Sequence, residues 1–234
     1  MKFTLVEKIT EAKGTKSFVF KPETPVEYLA GQFFYITLPK LNYPDPRGAT
    51  RHFTLSSSPT ENGLLKVTTR IREESGFKKS LDEIKIGESV EGEGPNGTFI
   101  IEDDDKNPNI YIAGGIGITP FRSMIKYASD KNLDNLSLYL IYSNSNEEDI
   151  AFKKELEDIS KSHPNIHVHF IVTNKEGRLD DKGLKNLIND WGLEIENTTF
   201  WVVGPPPMVN AMEEILEKIN INSDHIRTEK FTGY

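Results

Sequence analysis

The 234-residue chain contains no cysteine. That absence excludes a disulfide framework, a thiolate nucleophile, a C-x-x-C redox pair, Cys-ligated zinc and Cys-ligated iron–sulfur clusters. Positive charge is also scarce: 28 Lys and Arg stand against 36 Asp and Glu, a formal net charge of −8. Nonspecific nucleic-acid binding needs clustered cations to displace counterions from phosphates, so it does not suit this balance. No run approaches the roughly 18 apolar residues that span a bilayer. The start, Met1-Lys2-Phe3-Thr4, alternates polar and apolar residues instead of forming a secretory apolar stretch. The expectation is a soluble, cytoplasmic protein with no membrane span. What is present suffices to fold, since 36% of residues are hydrophobic and 10% aromatic. The length suits one large domain or two small ones.

The rhythm of the chain changes once. Over the first hundred residues, short alternating runs at 3–9, 17–20, 32–38, 52–55, 65–71 and 89–93 are separated by turn residues such as Pro22, Pro39, Pro44, Pro59, Gly63 and Gly87. Period-two patterning broken by Gly and Pro predicts an antiparallel sandwich or barrel. One helix is predicted at 77–84, where Phe77, Leu81 and Ile84 share a face. A charged run, Glu102-Asp103-Asp104-Asp105, reads as a linker. Beyond it, strand-like runs at 110–113, 136–142, 166–172 and 199–203 alternate with helical patterns at 119–129, 147–161, 180–190 and 207–219, before a last strand at 226–231. Such alternation predicts βαβ units and a parallel sheet. The expected fold class is two-domain: an antiparallel β-barrel over 1–103, then an α/β domain with an open parallel sheet over 104–234.

The most informative segment is Ile110-Tyr111-Ile112-Ala113-Gly114-Gly115-Ile116-Gly117-Ile118-Thr119-Pro120. A buried strand runs into three glycines, then a Thr suited to capping a helix and a Pro suited to its first turn. Glycines let backbone approach a ligand, and a helix N-terminus favours a diphosphate. An ordinary strand-to-helix turn is the plainer alternative. The pattern is not the G-x-G-x-x-G dinucleotide fingerprint. In open parallel sheets, ligands sit beyond the carboxyl ends of strands. Ser143 and Asn144 end one neighbouring run, and Gly204-Pro205-Pro206-Pro207-Met208 follows another.

In the first half, Arg51-His52-Phe53-Thr54 puts Arg51 and Phe53 on one strand face and His52 and Thr54 on the other. An Arg beside an aromatic can clamp a phosphate while the ring stacks on a planar ligand; packing and solubility explain the same residues. In Ser75-Gly76-Phe77-Lys78-Lys79-Ser80, two lysines stand at a helix start, where acidic residues are normal. They suit a bound anion, or simply solvent. His167 and His169 share a strand face but lack a third ligand, so no metal is expected.

Taken together, Arg51-His52-Phe53-Thr54-Leu55-Ser56, Gly76 to Ser80, Gly94-Pro95-Asn96-Gly97, Ala113 to Pro120, Gly204-Pro205-Pro206-Pro207-Met208 and the terminal Glu229-Lys230-Phe231-Thr232-Gly233-Tyr234 resemble, in order, the ferredoxin–NADP⁺ reductase superfamily of flavoproteins. The resemblance covers nearly the whole chain. It implies a flavin-binding barrel and a nicotinamide-nucleotide domain, with FAD between them and NADH or NADPH as hydride donor. It assigns Arg51 to flavin phosphate, with His52 close by, Phe53 to stacking on the isoalloxazine and Thr54 to the reactive ring nitrogen. Val67 and Thr69 join the flavin-binding set, and Gly76, Phe77, Lys78, Lys79 and Ser80 form the diphosphate cradle of FAD. The nicotinamide nucleotide falls to Gly114, Gly115, Ile116, Gly117, Thr119, Pro120, Ser143, Asn144, Gly204, Pro205, Pro206 and Met208. Glu229 with Phe231 or Tyr234 matches the tail whose ring covers the other flavin face. Thr54, Glu229 and Phe231 are thus the residues implied nearest the chemistry.

The chain departs from the family pattern in three places. Phe53 replaces the usual Tyr, Val203 stands where relatives often carry cysteine, and no arginine follows Ser143 to grip a 2′-phosphate. With Glu147 and Glu148 nearby, NADH is expected over NADPH, although Lys153 or Lys175 could substitute. The resemblance implies a reductase that passes electrons to a separate acceptor such as an iron–sulfur protein, a flavodoxin or a haem protein. Alternatives are a flavin reductase using free flavin as substrate and a non-catalytic nucleotide-sensing subunit. The sequence says nothing of oligomeric state.

Overall fold

The computed structural model describes residues 1–232. Its first half holds β1 (Lys2–Ala12), β2 (Thr15–Pro22), β3 (Phe33–Thr37), β4 (Thr50–Thr54), β5 (Leu65–Arg70), α1 (Gly76–Glu83) and β6 (Ser89–Asn96). The strands pair antiparallel in the order β4-β3-β6-β1-β2-β5. A bridge between Leu55 and Val67 brings the two ends of this sheet together as a barrel. Alternate residues fill it: Phe3 and Leu5, Phe18 and Phe20, Phe34 and Ile36, Leu65 and Val67. Helix α1 plugs one side with Phe77 and Leu81.

The second half holds β7 (Asn109–Gly114), α2 (Ile118–Lys131), β8 (Leu138–Asn144), α3 (Lys153–Ser162), β9 (Ile166–Val172), α4 (Thr173–Glu176), α5 (Asp181–Asp190), β10 (Thr199–Gly204), α6 (Pro206–Lys218) and β11 (Ile226–Lys230). All strands run parallel in the order β11-β10-β7-β8-β9. Every residue of β7 and β10 is buried, as a sheet covered on both faces requires. Tyr111, Ala113, Leu140, Tyr142 and Trp201 pack towards α2 and α3. Ile110, Ile112, Ile141, Phe200 and Val202 pack towards α5 and α6.

Expected and observed elements differ mainly at their ends. The pattern at 147–161 is not one helix, because Glu147–Asp149 forms a single 3₁₀ turn and α3 starts at Lys153. Phe152 sits between them at φ +58°, a conformation that ends the turn and lets Ile150 and Phe152 enter the core. No helix of the described residues is long and apolar enough to cross a membrane.

The two halves share a core. Ala30 and Ile101 from the barrel side belong to the same buried cluster as α2 and the parallel sheet, and Phe99 meets Trp201 edge-on at 4.8 Å. The polar part of the junction centres on Arg122 of α2, 3% exposed. Its guanidinium donates to Glu155 Oε2 at 2.9 Å and Oε1 at 2.5 Å, to Glu61 Oε1 at 3.0 Å and Oε2, and to the Ser56 carbonyl at 2.8 Å. Ser123 donates to the Ser57 carbonyl at 2.6 Å. Burial would raise the pKa of Glu61, but hydrogen bonding to Arg122, then its charge, with Lys66 and the Ser58 amide, holds it below the usual carboxylate range. Arg122→Ala would strand two carboxylates at the junction. It is expected to lower the unfolding free energy by about 3 kcal/mol, read by urea denaturation.

Candidate functional site

Between the two halves lies a cleft of about 570 Å³, open to solvent and lined by Arg47, Arg51, His52, Phe53, Thr54, Thr68, Thr69, Lys78, Ile116, Thr119, Phe231 and Thr232. Four elements bring these residues together. β4 is an edge strand, so residues 51–54 border the opening on both of its faces. Thr68 and Thr69 come from β5, across the seam where the barrel closes. Lys78 comes from the first turn of α1, and Ile116 and Thr119 from the entry to α2. The tail is tied down where Arg47 Nη2 donates to the Thr232 carbonyl at 3.2 Å. Of the expected flavin residues, Arg51, His52, Phe53, Thr54, Thr69, Lys78 and Phe231 converge here.

The electrostatics of the cleft run against those of the chain. In a protein of net charge −8, Arg47, Arg51 and Lys78 crowd into one wall. Lys78 is 7% exposed. Burial first, then the charges of Arg72, Arg47 and Arg51, push its ammonium down to about 8. His52 is likewise lowered by burial, then by Arg47 and Arg51. Buried cations that depress one another are relieved by an anion, and the phosphates of FAD suit this wall. The same cleft also holds Phe53, Thr54 and Phe231, which suit a flat ring with polar edges.

Other expected contacts fall elsewhere. Val67 is 1% exposed and packs inside the barrel, as does Phe77. The paired lysines split: Lys78 turns into the cleft, whereas Lys79 turns away, 3.0 Å from Glu73 and with its ammonium 4.3 Å from the centre of the Tyr43 ring. Ser80 Oγ donates to the Gly76 carbonyl at 2.7 Å and accepts from the Asn42 amide at 2.9 Å, so it holds a loop. A Cβ on Gly76 would lie 2.2 Å from the Pro44 carbonyl oxygen; the missing side chain makes room for backbone of this chain. Glu229 borders a neighbouring groove with Phe33, Phe99 and Arg227. Its Oε2 is buried without a hydrogen-bond partner among the described residues, and burial pushes its pKa up to about 7. Tyr234 lies outside the described residues. Arg47 and Thr68 escape the sequence reading; a basic residue four positions before Arg51 is the signal that could have found Arg47.

At the α/β end, the glycines have separate jobs. Gly115 has φ +54° and open space where a Cβ would be. A Cβ on Gly117 would meet the Val203 carbonyl oxygen at 2.2 Å, so this glycine lets α2 start directly against β10. Gly114 and Gly204, the ends of adjacent strands, both face Met208 Sδ, 3.0 Å from either ideal Cβ. Thr119 is not the cap: α2 begins at Ile118 with Gly117 in the cap position, and the Thr119 hydroxyl donates to the Ile116 carbonyl at 3.3 Å. Pro120 is buried in the same turn. This turn of α2 has neither a capping side chain nor an acidic residue. Ser143 pairs with Gly114 at the end of β8. Asn144 is 6% exposed, and its Nδ2 has no partner among the described residues. Pro205 takes the cap position of α6, and Pro206 opens that helix. The strand order reverses between β7 and β10, which is where a parallel sheet places its ligand.

The expected histidine pair forms no cluster. His167 stacks on Tyr139 at 4.8 Å, and among the described residues no group of three His, Asp or Glu could hold a metal ion.

Comparison with known proteins agrees with this layout. The model of the oxidoreductase FAD-binding domain matches residues 2–101, and that of the oxidoreductase NAD-binding domain matches residues 111–214. NADH-cytochrome b5 reductase 1 of Dictyostelium discoideum is 31% identical over 182 residues, 76% of this chain and 64% of that protein. Flavohemoprotein A of the same organism is 26% identical over 243 residues, 98% of this chain and 59% of that one. The chain thus spans about three fifths of these curated relatives. Among solved structures, a cytochrome P450 reductase from Amycolatopsis superposes with a TM-score of 0.83 at 21% identity, covering 100% of this chain and 70% of that one. An FAD-binding barrel followed in the same chain by an NAD-binding α/β domain makes this protein a member of the ferredoxin–NADP⁺ reductase superfamily.

Proposed function

We propose that the chain is an NAD(P)H-dependent FAD reductase that passes electrons to a separate acceptor. The observation that carries this reading is the cleft itself, where a cationic wall, an aromatic wall and the uncapped start of α2 meet at the strand-order reversal. FAD bound there supplies a ring that accepts hydride from a reduced nicotinamide and releases the electrons singly or in pairs. The protein's part is alignment. Arg47, Arg51 and Lys78 hold the phosphates, Phe53 and Phe231 offer ring faces, and Thr54 offers a hydroxyl at the ring edge. Gly115, open where a Cβ would be, and the uncapped start of α2 offer the place for the second nucleotide, beside Ser143, Asn144 and the turn at Gly204 to Met208. Glu229, with a carboxyl that titrates near 7, holds a proton close to the tail.

For the acceptor class, support comes from the relatives' names, which include cytochrome b5 reductase, flavohemoprotein and a monooxygenase reductase subunit. A haem protein is the acceptor that these favour. For the nucleotide, Glu147 supports NADH, because its carboxylate engages Lys153 at 2.7 Å and Lys175 at 3.2 Å, the cations that would otherwise meet a 2′-phosphate.

The test is the visible spectrum of the purified protein under anaerobic conditions. A yellow protein with one flavin per chain, bleached by NADH faster than by NADPH, is expected. A colourless protein would sink the bound-cofactor reading, and a yellow one that neither nucleotide bleaches would sink the enzyme. Glu147→Gln is expected to move the ratio of kcat/KM values several-fold towards NADPH. Glu229→Gln addresses pH. The folded-state pKa of Glu229 is raised, so its contribution to stability is greatest at low pH and is lost as pH rises through about 7. Relative to the variant, the wild-type Tm should therefore fall between pH 5 and pH 8.

A further inference from the structure

The first turn of α1 already holds an anion, supplied by the chain. Asp45 lies in the loop between β3 and β4, and its side chain is 5% exposed. Asp45 Oδ2 accepts from the Phe77 amide at 2.9 Å and from the Ser75 hydroxyl at 3.3 Å. Oδ1 accepts from Arg51 Nη2 at 2.5 Å and from the Arg47 amide at 3.0 Å. The carboxylate therefore sits where the helix start and the strand arginine converge. Its environment keeps it charged: burial raises its pKa, but the amides of Phe77 and Arg47, then Arg51, hold it below the usual carboxylate range. The Lys78 amide is engaged too, donating to Ser75 Oγ at 3.2 Å.

We propose that Asp45 is a placeholder anion in the diphosphate cradle, and that a flavin dinucleotide gains its site by displacing this carboxylate. The inference rests on the reading of the cleft as the FAD site. The frame around Asp45 is pinned independently of its carboxylate. Asn42 and Tyr43 bond to Glu83 at 2.7 Å and 2.5 Å, and the Asn42 amide bonds to Ser80 Oγ. Arg51 Nη1 keeps the carbonyls of Arg47, Gly48 and Thr50 at 2.9, 3.0 and 2.7 Å. Rotation of one side chain thus opens the amide of Phe77 and the outer nitrogen of Arg51 without unfolding the loop. Asp45 compensates Arg51 in the absence of flavin, and it sets a threshold that a ligand must exceed. A single phosphate trades one anion for another, whereas a diphosphate adds contacts to Lys78 and Arg47.

The experiment measures the dissociation constants of inorganic pyrophosphate and of FAD for flavin-stripped wild type, Asp45→Asn and Asp45→Ala by calorimetry. Glu73→Gln is the control, since it removes one negative charge beside α1 without touching the cradle. Pyrophosphate should bind roughly tenfold more tightly to both Asp45 variants than to wild type, and no more than about twofold more tightly to the control. Equal or weaker binding to the Asp45 variants, no binding at all, or an equal gain in the control overturns the proposal. If Asp45→Ala does not fold, the isosteric Asp45→Asn decides alone. The FAD titration separates the two readings. Tightened pyrophosphate without any FAD binding keeps the placeholder and removes the flavin site. Stoichiometric FAD with unchanged pyrophosphate binding does the reverse.

Discussion

A single buried guanidinium holds the two halves of this protein in register. Arg122 projects from α2 and joins Glu61 and the Ser56 carbonyl on the barrel side to Glu155 on α3. Two half-buried carboxylates face one cation there, and neither can be left without it cheaply. The same helix that carries Arg122 begins at the cleft, so the lock and the nucleotide end of the site are one rigid piece. Moving Arg122 would move the start of α2 against β4 and the tail, and the cleft would lose its shape.

The remaining geometry follows from close approaches. Gly117 admits the Val203 carbonyl, Gly114 and Gly204 admit Met208, and Gly76 admits Pro44. In each case hydrogen in place of a side chain brings backbone to backbone, or thioether to backbone. Of Gly114, Gly115 and Gly117, it is Gly115 that faces open space with a left-handed backbone. A run of glycines that looks like one ligand cradle is thus a division of labour, in which packing takes the larger part.

How far the sequence discloses this is uneven, for physical reasons. The change from period two to strand–helix alternation is readable because it reflects burial on one face or both. Arg51, Phe53 and Thr54 are readable as a set because they alternate on a single strand. The fate of Lys78 and Lys79 is not, since neighbours on a helix diverge by about 100° and only the packed fold decides which enters the cleft. Thr119 has the chemistry of a cap, yet the 3₁₀ turn at 115–117 puts the cap two residues earlier, at Gly117. Helix α3 is overestimated because Phe152 satisfies the helical pattern while its backbone turns left-handed to reach the core. Asp45 and Arg47 lie in a Pro- and Gly-rich loop with no period at all, and long-range contact alone gives them meaning.

The Arg122 lock also orders events during synthesis. Glu61, Ser56 and Ser57 belong to the barrel, whose last strand ends at Asn96, whereas their partners stand at 122 and 123, sixty-six positions beyond the two serines. A ribosome therefore delivers the whole barrel before the cation that completes it. Until α2 docks, Glu61 waits as a carboxylate without its main countercharge. Arrival of Arg122 is thus a neutralisation step between two nascent halves, and Glu155, still further along the chain, closes it last.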